Sequence, residues 1–295
     1  MLHRSPLVDP ELFGRLAGVS IRFDGHVEGS VAGSHRSRSR GSSVEFAQYR
    51  EYSPGDEIKH IDWKSYARSD RFYVKQFEDE TELRTLFVVD TSKSMDFNLG
   101  NCPKKITYAG QLAAALAWTL IQQGDSIGLL THGENIGTYL PPRNRPEHFW
   151  RFIRLLESAN CDGQTNLSSA LTHVANLPLK RSNVVLISDC LDFEGRFIGI
   201  LKQLRRRHYV SVLHVLDPSE VEFPFSDLTV FEDTEDLSEL QVDPRAMADE
   251  YRKTISDWLK MLNSELADGQ VNYKLSTTNT DIEKSVMDWA RGRRK

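Results

Sequence analysis

Cysteine is scarce, with only Cys102, Cys161 and Cys190 in a chain of 295 residues. Three unevenly spaced thiols make neither a disulfide framework nor a zinc knuckle, and that usage points to a reducing compartment. Long hydrophobic runs are missing as well. The most apolar helical stretch, around Leu112 to Ile121, is too short and too interrupted to span a bilayer, and no N-terminal stretch reads as a signal peptide. The expectation is a cytoplasmic protein without membrane insertion. There is no excess of positive charge either: 37 basic against 42 acidic residues leave a net charge of -5, which exerts no general pull toward nucleic acid or acidic membrane. Neither G-x-x-x-x-G-K-[ST] nor G-x-G-x-x-G occurs, so nucleotide hydrolysis and dinucleotide binding have no visible seat. What remains, 39% hydrophobic and 27% charged residues, is enough for one good core plus a smaller module.

The stretch that organises the chain is Leu86 to Met95, LFVVDTSKSM. Four apolar residues run without a polar break into Asp90, as in a strand buried on both faces of a parallel sheet. Ser92 and Ser94 follow at alternate positions. Open α/β sheets bind ligands beyond the carboxyl ends of their strands, so a carboxylate and two hydroxyls there form a candidate ion site. The plainer reading is that Asp and Ser after a strand cap the next helix. Two further stretches weigh against it. Gly163-Gln164-Thr165-Asn166 places a hydroxyl in a turn just before a helical pattern, and Val184 to Ser188 is a second buried strand running into Asp189.

Between these landmarks strands and helices alternate. Helices are expected at Lys104 to Gln123, Pro146 to Leu156, Leu167 to Ala175 and Phe197 to Arg207. Strands are expected at Ser126 to Thr131, Ile136 to Leu140 as an edge before Pro141-Pro142, and Val210 to Leu216. Such alternation predicts an α/β, doubly wound, mostly parallel sheet with right-handed crossovers. If the strands ending at Asp90 and Asp189 are neighbours where strand order reverses, Ser92, Ser94 and Asp189 enter one crevice. Downstream a hairpin insertion is expected near 226–243, then a helix from Pro244, a strand at Val271 to Leu275 and a closing helix from Asp281.

The N-terminal part reads as a separate β-rich module over residues 1–80, ahead of the main domain at 81–295. It contains an arginine stripe at Arg36, Arg38 and Arg40, a turn at Ser53-Pro54-Gly55-Asp56 and most of the clustered aromatics. The stripe is read mainly as a solvated surface, with phosphate or acidic protein contact as the lesser reading. The aromatics supply buried area.

The residues at this point carry a family likeness. Asp90-x-Ser92-x-Ser94, a Gly-x-Thr turn at Thr165 and a strand ending in Ser188-Asp189, in that chain order, resemble the metal-ion-dependent adhesion site of von Willebrand factor A-type domains. Upstream, Phe46-Ala-Gln-Tyr-Arg50-Glu-Tyr52, Pro54-Gly55-Asp56 and Ile61-Asp62-Trp63-Lys64 resemble the signature of the bacterial domain-of-unknown-function family 58. The first likeness implies that Asp90, Ser92, Ser94, Thr165 and Asp189 hold a metal, with one position left for a carboxylate from a partner protein. Carboxylates and hydroxyls without imidazole or thiolate select hard cations, Mg²⁺ first, with Mn²⁺ or Ca²⁺ able to substitute. The second likeness implies a non-enzymatic adaptor working with a MoxR-type AAA+ ATPase in complex assembly, while the acidic overall charge and the lack of an interleaved stacking platform leave no nucleic acid expected. The alternative is a metal-dependent hydrolase or phosphatase on the same carboxylates. An aspartyl-phosphate mechanism at Asp90 wants a second carboxylate two residues on, and that position holds Ser92.

Overall fold

The computed structural model describes residues 5–19, 21, 44–53, 62, 63, 65, 66, 71–79, 83–192, 195–225, 229–232, 239–242 and 244–291. The chain forms two compact units, one of Met1–Phe23 with Leu83–Lys295 and one of Asp24–Glu82. The expected N-terminal module over 1–80 therefore begins too early. Helix α1 (Pro10–Leu16), capped by the Asp9 carboxylate and opened by a proline, buries Leu12, Phe13 and Leu16 in the larger unit. Phe13 stacks on Trp118 at 5.1 Å and meets Phe149 edge-on at 6.0 Å. An amphipathic helix of this length has little stability alone, so its apolar face decides which core it joins.

In the smaller unit, β1 (Val44–Glu51) pairs antiparallel with β2 (Tyr73–Asp79), with an irregularity between Phe46 and Gln48. Tyr66 stacks on Phe72 at 4.3 Å, and Trp63 stands edge-on to both at 6.4 Å. The arginine stripe and the residues Pro54-Gly55-Asp56 lie outside the described residues.

The larger unit is an α/β fold around a six-stranded sheet. After β3 (Arg84–Asp90) come a 3₁₀ turn (Lys93–Asp96), α2 (Lys105–Gln122), β4 (Ser126–His132) and β5 (Ile136–Arg143). Then α3 (Pro146–Glu157), α4 (Leu167–Asn176), β6 (Asn183–Ser188), α5 (Arg196–Arg205) and β7 (Tyr209–Leu216) follow. After α6 (Pro218–Glu222), β8 (Thr229–Glu232) and β9 (Glu239–Val242) pair antiparallel as a separate ladder. The chain closes with α7 (Pro244–Asp268), β10 (Asn272–Thr277) and α8 (Ile282–Arg291). The strand order is β10-β7-β6-β3-β4-β5, and every pairing is parallel except that of β5. The sheet is thus doubly wound and mostly parallel, as the alternation of elements predicts.

Burial on both faces explains the unbroken apolar runs. Along β3, Leu86 and Val88 belong to one apolar layer, while Phe87 and Val89 belong to the other. The first layer joins the sheet to α4, α5 and α7 through Leu171, Leu201 and Leu266. The second joins it to α1, α2, α3 and α8 through Leu16, Leu116, Phe152 and Trp289. Each fully buried Leu or Phe contributes about 1.5–3 kcal/mol relative to exposure. Strand β5 departs from its expected end. It runs through Pro141 and Pro142 to Arg143, which an outermost strand tolerates because one of its sides needs no ladder donors.

From β3 the chain passes to β4 on one side and later returns to β6 on the other. Strand order reverses there, and the carboxyl ends of β3 and β6 flank the resulting crevice.

Candidate functional site

Asp90 is the last residue of β3, and Asp189 directly follows β6. Both are fully buried. A buried carboxylate is costly unless donors or a cation reach it, so its partners define the site. Asp90 Oδ1 accepts from the Ser92 amide at 2.9 Å, a turn that bends the chain back over the strand end. Its Oδ2 accepts from the Thr165 hydroxyl at 2.9 Å and the Ser188 hydroxyl at 2.7 Å. Ser94 donates to Asp189 Oδ2 at 2.7 Å, and the Ser92 and Ser94 hydroxyls lie 3.1 Å apart. The five residues singled out from sequence, Asp90, Ser92, Ser94, Thr165 and Asp189, thus form one hydrogen-bonded constellation.

Backbone contacts hold the loops together. The Lys93 amide donates to the Gly163 carbonyl at 2.9 Å, and the Asp162 amide donates to the Thr91 carbonyl at 3.1 Å. The threonine loop therefore lies along the serine loop as an irregular ladder. Gly163 has φ +66, and a Cβ there would come within 2.9 Å of Glu134 Oε2. Glycine is the residue that takes this backbone conformation without strain. Asn166 then caps α4, its side chain accepting from the Ser169 amide at 2.9 Å. Thr165 is the last residue before that cap.

Three partners escaped the sequence reading. Lys105, in the first turn of α2, is completely buried, and its Nζ donates to Asp189 Oδ2 at 2.9 Å and to Glu220 Oε1 at 2.7 Å. Its position was legible, since residues 105, 109, 112 and 116 lie on one face of α2 and the last three are core. Glu220 belongs to a capping box with Asp217, the D-x-x-E spacing that marks a helix start. His214 of β7 reaches the Asp189 carbonyl through Nε2 at 2.7 Å and the Tyr273 hydroxyl through Nδ1 at 2.8 Å.

Burial opposes charge throughout, and the partners decide the outcome. At Asp189 burial is overcome by Lys105 and by the hydrogen bonds of Lys105 and Ser94, which hold its carboxyl below the ordinary carboxylate range. At Lys105 burial is likewise overcome by Asp189 and Glu220, so the ammonium keeps its proton. At Glu220 burial prevails over Lys105 and raises the carboxyl. His214 is pushed down to about 4 by burial and is neutral at physiological pH. Both cysteines flanking the site are raised by burial, Cys161 to about 12, and remain unreactive thiols.

His132 ends β4 beside Asp90 and is buried, with neither ring nitrogen hydrogen-bonded among the described residues. Gly124-Asp125-Ser126-Ile127-Gly128 matches the G-x-S-x-G spacing of a nucleophile elbow. It turns from helix α2 into strand β4, the reverse of the strand-to-helix turn an elbow needs. Among the described residues there is no group of three or more His, Cys, Asp or Glu side chains arranged to hold a metal. The donors gathered at the crevice are instead two carboxylates and three hydroxyls, the hard oxygens that Mg²⁺, Mn²⁺ and Ca²⁺ accept.

Over residues 48–259 the chain matches the family described as "Protein of unknown function DUF58". An uncharacterized protein of Mycobacterium tuberculosis is 29% identical over 255 residues, covering 85% of this chain and 80% of its own. Among solved structures, the conserved hypothetical protein BatB from Bacteroides thetaiotaomicron aligns with TM-score 0.46 and 18% identity, over 71% of this chain and 99% of its own. An aerotolerance-related membrane protein from Bacteroides fragilis aligns with TM-score 0.43 and 17% identity, over 71% and 98%. A von Willebrand factor type A structure from Catenulispora acidiphila aligns with TM-score 0.39 and 10% identity, over 75% and 44%.

The expectation of a cytoplasmic protein is corrected here: the aligned structures include one described as an aerotolerance-related membrane protein and one described as a membrane spanning protein from Vibrio fischeri. No helix among the described residues is long and apolar enough to cross a membrane.

Proposed function

Because the chain belongs to the DUF58 family, whose description names no activity, we propose its role from the crevice itself: a metal-dependent protein-protein interaction module. What carries this reading is the convergence of Asp90, Ser92, Ser94, Thr165 and Asp189, from three separate loops, at the point where strand order reverses. The donor set fits a hard divalent ion. The single ammonium of Lys105 meets two carboxylates, Asp189 and Glu220, and a divalent cation would offset the negative charge remaining at Asp90 and its neighbours. Mg²⁺ suits few protein oxygens and retained waters, with Mn²⁺ or Ca²⁺ as substitutes.

When bound, such an ion offers a Lewis-acidic position to an incoming carboxylate. The chain's own residues do the rest. Ser92, Ser94 and Thr165 present hydroxyl oxygens, and the Ser188 hydroxyl and Ser92 amide fix the rotamer of Asp90. Lys105 and Ser94 fix Asp189. The partner is a protein that supplies a carboxylate, and the family likeness extends the reading to an adaptor for a MoxR-type AAA+ ATPase in assembling a client complex. The role is non-enzymatic: both carboxylates already accept from several donors, which suits fixed ligands better than a proton-transferring base. The test is co-purification with and without Mg²⁺. Partners retained by the wild type in Mg²⁺ should be lost with EDTA and with Asp90→Ala. An unchanged set of captured proteins would refute a metal-bridged interaction.

A further inference from the structure

Lys105 is out of place beside a cation site. Moving an ammonium into a protein interior costs several kcal/mol even after relaxation, and helix α2 could have closed this part of the core with an apolar residue. Instead its Nζ lies between Asp189 Oδ2 and Glu220 Oε1, 5.7 Å from the centre of the Phe97 ring. The oxygen it shares with Ser94 belongs to one of the proposed metal ligands. Its other partner, Glu220, is not one of them. Glu220 is itself fixed by the Asp217 amide, which donates to its Oε2 at 2.7 Å, and its backbone carbonyl accepts from the Tyr251 hydroxyl at 2.9 Å.

We propose that Lys105 is a built-in competing cation that sets the crevice's affinity for divalent metal, with Glu220 as the anchor that draws its charge away from Asp189. Resting on the metal-dependent reading above, this assigns to two residues outside the ligand set a role of opposite sign. The ammonium repels an incoming cation and occupies Asp189 Oδ2, so it weakens binding. The Glu220 carboxylate shares the ammonium and restores negative charge nearby, so it strengthens binding. A residue that merely packs the core would change affinity in one direction only, by loosening the site.

The test measures Mn²⁺ binding to the full chain by the loss of the free-ion paramagnetic resonance signal. Lys105→Met should tighten Mn²⁺ binding by at least about tenfold. Glu220→Gln should weaken it about threefold or more, and Lys105→Arg, which keeps the charge, should not tighten it. If Lys105→Met yields no folded protein, the weakening in Glu220→Gln, with no tightening in Lys105→Arg, carries the test. Wild-type binding that Lys105→Met leaves unchanged or weakens, or that Glu220→Gln leaves unchanged or tightens, would overturn the role of this pair and leave the metal reading standing. Absence of Mn²⁺ binding in the wild type and in every variant would overturn both.

Discussion

Asp90 and its counterpart Asp189 stand at the ends of neighbouring strands, equally shut off from solvent, yet their surroundings differ in kind. Among the described residues Asp90 accepts from neutral groups: one amide and the hydroxyls of Thr165 and Ser188. Asp189 accepts from a serine hydroxyl, a backbone amide and the ammonium of Lys105. Neutral donors orient a carboxylate and leave its charge in place, whereas an ammonium cancels it. The Asp90 half of the crevice is therefore the half whose charge calls for an added cation. The Asp189 half carries its own.

Removing each carboxylate in turn tests that contrast most strongly. Asp189→Ala leaves the buried ammonium with Glu220 alone, and breaking a buried pair in this way costs about 3–5 kcal/mol. Asp90→Asn keeps an acceptor for the same hydroxyls and strands no charge, so it should cost about 1 kcal/mol in metal-free protein. The check is chemical denaturation in EDTA, read as the shift in midpoint at constant slope. Equal losses would mean that the two halves are compensated alike.

Acid sharpens the comparison on the Asp189 side. His214, hydrogen-bonded to the Asp189 carbonyl, is pushed by burial to about 4 in the folded protein, against an ordinary value of 6.5. The unfolded chain then binds the proton first, so this contribution to stability is complete above 6.5 and is lost as the pH falls toward about 4. The loss is on the order of 3 kcal/mol. His148 and His208, also lowered by burial, add to it in the same direction. Glu220 runs the other way, because burial raises its carboxyl and the folded state is protonated first. A stability profile between pH 7 and 4 should slope downward in the wild type and flatten in part in His214→Gln. A parallel profile in the variant would remove His214 from the account.

The five oxygen donors were legible in the sequence because each sits where a local rule puts it. Asp90 and Ser188-Asp189 end apolar strands, and Thr165 precedes a helix cap. The rule that ligands gather where strand order reverses then brought them together. Lys105 and Glu220 were not read as members of the site, for a physical reason. Which cation neutralises a buried carboxylate depends on the phase of one helix and the placement of another, and neither follows from strand ends. The boundary of the smaller unit was misplaced for a similar reason. Helix α1 carries an apolar face that three residues define, but the sequence does not say which core receives it. Strand β5 outran its expected end because edge position, a property of the whole sheet, overrides the local signal of two prolines.

The crevice at the ends of β3 and β6 is proposed to hold a hard divalent ion. That proposal is tested most directly by the thermal midpoint of the wild type and of Asp90→Asn, each in excess Mg²⁺ and in EDTA. Binding to the folded state alone adds about 2.7 kcal/mol at a hundredfold excess over Kd, so the wild type should melt several degrees higher in Mg²⁺ and the variant should not respond. Identical midpoints for the wild type in Mg²⁺ and EDTA would rule out an ion bound there in the folded state.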